Sequence, residues 1–539
     1  MISISCKLKY KTAIRDAYIQ FEQAHDDAII DSFRKRTVPD FWKAWSAKFK
    51  KKLSTNVVFS NCTDDADTAN MFTDKFSSIF CDSAADCAAV QDFQSLHSSV
   101  KADNPEEITP THVSIELVDN SIRRLKCGKA CGPDDLCAEH LLYAHPSLIV
   151  HLKLLFGLVL SHCYVPTDFG VGCIIPLVKD KSLALNNANN YRAVTLIPVI
   201  SKVLENVIFS ICEDKIITSP LQFGFKANTG CTDAIFTLRS TVDHFTAHNS
   251  NVFAASLDIN KAFDKINHFK LFSRMYKTGV PLDVVYVLIN WYGKLCAVVR
   301  WNGVHSSLFV IRSGVRQGSA LSPALFNLFI NVLINRLYVN GVGCWVKQIY
   351  IGCIMYADHI ILLSPSLQGL QDMLNVCHCV SSELLLQFNP NKCHLVAFGP
   401  HARKTGGPLL IGSDTIHWTH SVKYLGVHIV YGRKLSFDIN PIKRAFFTAC
   451  NSVSSQSQCM DEILQLSLIE TYCLPILTYA FPAVSLKARQ LQELNSCWNS
   501  AYRRVFGFHR WESVRSFICG LGRLDLKHVI MLSKMSMGV

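Results

Sequence analysis

Asp258 closes an apolar run, Phe253-Ala-Ala-Ser-Leu-Asp258, about a hundred residues before a second acid, Asp358. Asp358 sits in the polar stretch Tyr356-Ala357-Asp358-His359, between the apolar runs Ile349–Met355 and Ile360–Leu363. Two apolar runs joined by a tight polar turn predict a hairpin, and an acid at its tip can be aimed at a metal ion. Two carboxylates on adjacent strand ends can hold a pair of divalent ions for in-line phosphoryl transfer. After Asp258 the backbone carbonyl of Ile259 can add an oxygen ligand, and Phe263 can wall a pocket where the chain turns. Taken alone, the same segment reads first as a core strand with an exposed acid and a buried aromatic.

Three further segments carry chemistry-bearing residues. In Ser313-Gly-Val-Arg-Gln317-Gly318-Ser-Ala-Leu-Ser322-Pro323, Gly318 lets backbone approach a ligand closely. Gln317 offers both a donor and an acceptor, which suits a nucleotide. Lys392, in Asn389-Pro-Asn-Lys392, can neutralise a leaving group or donate a proton. Val422-Lys-Tyr424-Leu425-Gly426-Val427 reads as a short strand pair with a close approach at Gly426. Each has a plain alternative as an ordinary turn.

The elements that must position these residues alternate densely from Ile108 onward. Periodicity predicts helices over 110–125, 146–160, 197–212, 233–245 and 267–277, and strands over 171–178 and 253–259. A hairpin is expected around Asn302-Gly303. A long helix is expected from Ser322 as N-cap, with Pro323 in its first turn. Residues 10–60 look helical and basic, with Arg34-Lys35-Arg36 and Lys50-Lys51-Lys52 around Trp42 and Trp45, and a solvated face over buried tryptophans is the favoured reading. Residues 82–107 are small, polar and acidic and read as a linker.

The 539 residues allow two to four domains, and 49% hydrophobic against 18% charged residues excludes a disordered chain. A net charge of +12 is permissive for nucleic acid. The 22 cysteines include no Cys-x-x-Cys pair, so structural zinc is not expected and reduced thiols are. No signal peptide or membrane span is expected, and an intracellular location is.

The order Asp258, Gln317-Gly318, Asp358, Lys392, Tyr424-Leu425-Gly426 resembles that of a reverse transcriptase palm. The chain resembles the reverse transcriptases of non-LTR, LINE-type retrotransposons, and jockey-like elements in particular, from about residue 126 to 427. Gly128-Lys-Ala-Cys-Gly132-Pro133-Asp134 is similar to the family's N-terminal extension motif. Asn190-Tyr191-Arg192-Ala193 is similar to its fingers motif, with Ala193 for the usual proline. Gln222-Phe-Gly224-Phe-Lys226 is similar to the next motif, with lysine for arginine.

The resemblance implies an α/β (α+β) right-hand polymerase with fingers, palm and thumb, followed by a helical C-terminal region. The expected divisions are an N-terminal basic region and linker (1–105), fingers and palm (106–430), and thumb with C-terminal helices (431–539). It implies Asp258, Asp358 and Ile259 as ligands of two magnesium ions, with manganese able to substitute. It implies Lys392 as a catalytic group, Phe263 as a gate against the ribose 2′-hydroxyl, and Gln317 and Gly318 as walls of the nucleotide and template pocket. Arg192 and Lys179 would contact the triphosphate. The implied partners are an RNA template, a DNA primer or target and deoxynucleoside triphosphates, without membrane, and the working place is the nucleus. Arg316 stands where the family usually has proline.

The serious departure is His359, where the family has a second aspartate. Magnesium prefers hard oxygen ligands, and imidazole suits softer metals. Activity lowered by His359 is therefore expected. The alternative is a catalytically dead fragment that binds RNA or RNA–DNA duplex. Nothing resembles the family's endonuclease or a Cys/His knuckle, so a fragment or degenerate copy is expected. In the C-terminal region Trp498, Tyr502, Arg503, Arg504, Phe506, Phe508, Arg510 and Trp511 interleave aromatics with basic residues. That pattern reads either as stacking plus phosphate contact or as a buried aromatic stripe with a basic outer edge.

Overall fold

The computed structural model describes residues 4–35, 40–41, 43–45, 57, 59, 62–81, 86–103, 110–181, 183–402, 406–457 and 460–536. Arg36, Trp42 and Lys50–Lys52, singled out above, lie outside the described residues. The chain divides into two compact units. The larger comprises Val57–Val422 and Tyr431–Lys434, and the smaller comprises Met1–Asn56, Lys423–Val430 and Leu435–Val539.

In chain order the larger unit carries strands β1 (Val171–Val178), β2 (Tyr191–Leu196), β3 (Val252–Asp258), β4 (Cys296–Trp301), β5 (Val304–His305), β6 (Phe309–Val310), β7 (Trp345–Val346), β8 (Ile349–Tyr350), β9 (Cys353–Tyr356), β10 (His359–Ser364) and β11 (His394–Phe398). One sheet runs β2-β1-β4-β5, with β6 also on β4. A second runs β11-β3-β10-β9, antiparallel throughout. β3 is buried at every position but Ser256, which explains why it reads as a continuous apolar run rather than an alternating one. In the register of this sheet Asp258 faces His359 across β3 and β10, and His359 in turn faces Tyr356 across the hairpin. The sheet thus draws the two distant acids to one end.

Several boundaries differ from expectation for identifiable reasons. The helix expected from Pro110 begins at Ile115, with Ser114 Oγ accepting from Leu117 N–H at 3.1 Å. The backbone N–H and hydroxyl of Thr111 donate to Asp283 at 2.7 and 3.1 Å, which holds the preceding residues out of the helix. The helix Ser322–Asn340 has Leu321, not Ser322, at its N-cap, and Ser322 Oγ is buried without a hydrogen-bond partner. Asp86–Asp103 is a helix and not a linker: Ala89 and Phe93 are buried, and Phe93 packs against Phe269 and Phe272. Cys131 and Cys137 form a disulfide, a correction to the expectation of reduced thiols at these two positions, while most of the other described cysteines are free thiols.

In the smaller unit the strands Val427–Val430 and Ser436–Asp438 pair antiparallel, and helices follow from Asn440 to Ser536. Gly426 takes φ +83°, and a Cβ there would lie 2.9 Å from the Tyr479 ring, so the expected close approach is present. Trp498 and Tyr502 are buried against each other, whereas Trp511 is 81% exposed and stacks on His509. The aromatic stripe therefore splits, with its first half in the core. Among the described residues no helix is long and apolar enough to cross a membrane.

Candidate active site

Asp258 ends β3 and is 7% exposed. Both its oxygens are taken: Oδ2 accepts from Lys392 Nζ at 2.8 Å, and Oδ1 lies 3.1 Å from His359 Nδ1. Burial works to raise the Asp258 carboxyl, but the bonds to His359 and Lys392 overcome it and hold the group below the ordinary carboxylate value. The same bond raises His359 above its ordinary value, against burial, so its charged form is favoured. Asp358 is half-buried, and burial raises its carboxyl. The backbone N–H of Ile259 donates to the Asp358 carbonyl at 3.4 Å, which ties the two acid-bearing segments together.

The hairpin tip is held by Gln222 and Gly224, residues of a motif to which the sequence assigned no role. Ala357 adopts φ +55°, a left-handed turn conformation. The buried side chain of Gln222 accepts through Oε1 from the N–H groups of Ala357 and Gly224, both at 3.0 Å. A Cβ on Gly224 would lie 2.5 Å from the Ala357 nitrogen, so only glycine permits this approach. Phe223 N–H donates to the Met355 carbonyl at 2.8 Å, extending the grip along β9.

Gln317 and Gly318 lie against strand β2 and the loop after Asp258 together. The Gln317 carbonyl accepts from Thr195 N–H at 2.7 Å, and its side chain donates to Asp264 Oδ1 at 2.7 Å. Gly318 takes φ +123°, and a Cβ there would meet the Thr195 carbonyl at 2.4 Å. Arg316 is buried and pairs with Glu205 at 3.2 Å, while Glu205 Oε2 accepts from Ala320 N–H at 2.7 Å. An ion pair thus braces the turn where proline is usual. Phe263 stacks on Phe326 with ring centroids 4.5 Å apart and meets Phe225 edge-on at 5.6 Å.

Lys179, just past the end of β1, and Arg192, in the neighbouring strand β2, are both exposed. Lys179 donates to the Asn189 carbonyl at 3.1 Å. Burial lowers its ammonium, Asp264 acts to raise it, and Lys261, Arg192 and Lys392 lower it further. Burial raises the Asp264 carboxyl, and Lys179, Lys261 and Arg192 in turn act to lower it. Lys75, Glu205, Lys261 and Asp264 belong to this neighbourhood and were not singled out from sequence, whereas Gln222 was noted as part of its motif without a role.

Two carboxylates and the Ile259 carbonyl are hard oxygen donors that suit one divalent cation. A second does not fit as the residues stand, because His359 and Lys392 occupy both oxygens of Asp258. Among the described residues no group of three His, Cys, Asp or Glu side chains forms a metal-binding cluster.

Residues 178–429 match the family model described as reverse transcriptase (RNA-dependent DNA polymerase). The RNA-directed DNA polymerase from mobile element jockey of Drosophila funebris is 26% identical over 429 residues, covering 76% of this chain and 45% of that protein. The probable RNA-directed DNA polymerase from transposon X-element of Drosophila melanogaster is 27% identical over 417 residues, 74% of this chain and 44% of that one. The Pol polyprotein from the type-2 retrotransposable element R2DM of the same species is 27% identical over 256 residues, covering 46% of this chain and 24% of the polyprotein. The chain thus spans less than half the length of these relatives. A solved telomerase from Candida albicans, in complex with a TWJ fragment of telomeric RNA, aligns with a TM-score of 0.41 at 10% identity, over 93% of this chain and 92% of that one, a likeness too loose to assign anything. Residues 178–429 thus match a reverse transcriptase domain, and over about three quarters of its length the chain is similar to the RNA-directed DNA polymerases of non-LTR retrotransposons.

Proposed function

We propose that this site carries out RNA-templated addition of deoxynucleotides to a DNA primer, with a rate lowered by His359. The observation that supports this best is the meeting of Asp258 and Asp358 at one end of the β11-β3-β10-β9 sheet, linked through Ile259 N–H. In the reaction the primer 3′-hydroxyl gives up its proton to solvent, its oxygen attacks the α-phosphorus, the bond to the bridging oxygen breaks, and pyrophosphate leaves with its electron pair. Lys392 supplies positive charge beside that leaving group once it releases Asp258. Lys179 and Arg192 bind the triphosphate, Gln317 and Gly318 shape the nucleotide and template pocket, and Phe263 excludes a ribose 2′-hydroxyl.

Reverse transcriptases use divalent metal ions. Asp258, Asp358 and the Ile259 carbonyl would hold magnesium, whose positive charge offsets that developing on the phosphate oxygens. Manganese accepts imidazole more readily than magnesium does, so it is the expected rescuing ion. A target-primed element would work where chromosomal DNA lies, in the nucleus.

The pairing of Asp258 with His359 and Lys392 favours a second reading, a relic that binds RNA or RNA–DNA duplex and does not polymerise. Primer extension and duplex binding, measured side by side, separate the two. Incorporation that disappears in Asp258→Ala supports the enzyme. Salt-dependent binding without any incorporation, in magnesium or manganese, supports the relic.

A further inference from the structure

Cations from separate stretches of chain gather around one short turn. Ala188–Asn190 is a single 3-10 turn that leads into β2, whose second residue is Arg192. Lys179, just past the end of β1, donates to the Asn189 carbonyl at 3.1 Å. Lys75 donates to the adjacent Ala188 carbonyl from the helix Asp65–Phe80, which lies upstream of the residues that match the family model. Lys261, exposed in the turn after Asp258, acts on both lysines.

Among the described residues no carboxylate pairs with Lys75. The charged groups that act on it are Lys179 and Lys261, and both repel it. Burial first, and those two cations second, bring its ammonium down to about 8. Like charges held together raise the energy of the empty site, and a dense anion lowers it again. A nucleic-acid strand offers one charge per roughly 3.4 Å. A triphosphate concentrates several charges in one group, which matches cations collected about a single turn.

We propose that Lys75 binds the terminal phosphates of the incoming deoxynucleoside triphosphate beside Lys179, Arg192 and Lys261, so that a helix preceding the matched domain completes the nucleotide pocket. The assignment rests on the polymerase function proposed above and adds to it a residue from outside the matched segment.

The test uses the full chain bound to an RNA–DNA template–primer ended with a dideoxynucleotide, so that no bond forms. The complementary N-methylanthraniloyl-labelled deoxynucleoside triphosphate is titrated by fluorescence, in wild-type and His359→Asp backgrounds. Lys75→Met is expected to weaken triphosphate binding by about ten- to a hundredfold, as for loss of one hydrogen bond to a charged group. Lys75→Arg, which keeps the charge, is expected to stay within about threefold, and template–primer binding is expected to be unchanged in both. Equal triphosphate affinity in wild type and Lys75→Met overturns the assignment. So does an equal loss of template–primer binding, which marks a backbone-phosphate contact instead. Triphosphate binding absent from both backgrounds overturns the polymerase function itself along with it.

Discussion

His359 Nδ1 lies 3.1 Å from Asp258 Oδ1, so the residue that replaces a carboxylate is an ion-pair partner of the carboxylate that remains. Lys392 takes the other oxygen at 2.8 Å. The substitution therefore removes one negative charge and also neutralises a second. For the polymerase chemistry proposed above, which needs negative charge to hold divalent ions, both changes are losses.

Gln222 holds the hairpin tip through two backbone N–H groups. Gln222→Leu keeps the volume and removes the acceptor. Each N–H left unpaired is expected to cost about 1–3 kcal/mol, read as a lowered urea midpoint. Amide exchange at Ala357 is expected to speed up more than exchange across β3. Unchanged exchange at Ala357 contradicts the positioning role.

Arg316 and Glu205 are each 5% exposed in their side chains, and Glu205 also holds Ala320 N–H. Removing one partner leaves a buried charge alone, so Arg316→Met is expected to cost about 3–5 kcal/mol. Arg316→Met with Glu205→Leu should recover most of that loss, less the bond to Ala320. Thermal or urea unfolding of the two variants checks it, and an additive double-variant loss contradicts it.

Lys75 gives a pH dependence of stability with a definite sign. Its folded value, about 8, lies below the ordinary 10.5. Keeping it protonated in the folded chain therefore costs stability in full below about 8, and the cost fades as pH rises toward 10.5. Lys75→Met is expected to be more stable than wild type near neutral pH, with the gap closing in alkali. Urea midpoints at about pH 7 and about pH 9.5 measure it, and a gap that widens with pH contradicts the direction.

The acid-bearing strands were legible because β3 and the β9–β10 hairpin are apolar runs broken by single acids, a pattern that needs no knowledge of distant partners. The positions of Gln317, Gly318 and Lys392 followed from their turn chemistry. Lys75 and Glu205 were not legible, since each sits in an ordinary helical pattern and gains its role only from residues more than a hundred positions away. Asp86–Asp103 was misread because few apolar residues, Ala89 and Phe93 among them, anchor it amid small polar residues that look like a linker, and its His97–Tyr276 bond joins residues far apart in sequence. Ser322 was misread as a cap because Ser-Pro before an apolar run is a strong local signal. The preceding turn, held by Glu205, already brings Leu321 to helical dihedrals.

The central claim is that this is a polymerase site short of one carboxylate, and primer extension on an RNA template with a DNA primer tests it most directly. His359→Asp is expected to raise magnesium-dependent incorporation by at least about tenfold over wild type, with a smaller gain in manganese. Equal magnesium-dependent activity in wild type and variant would contradict the account.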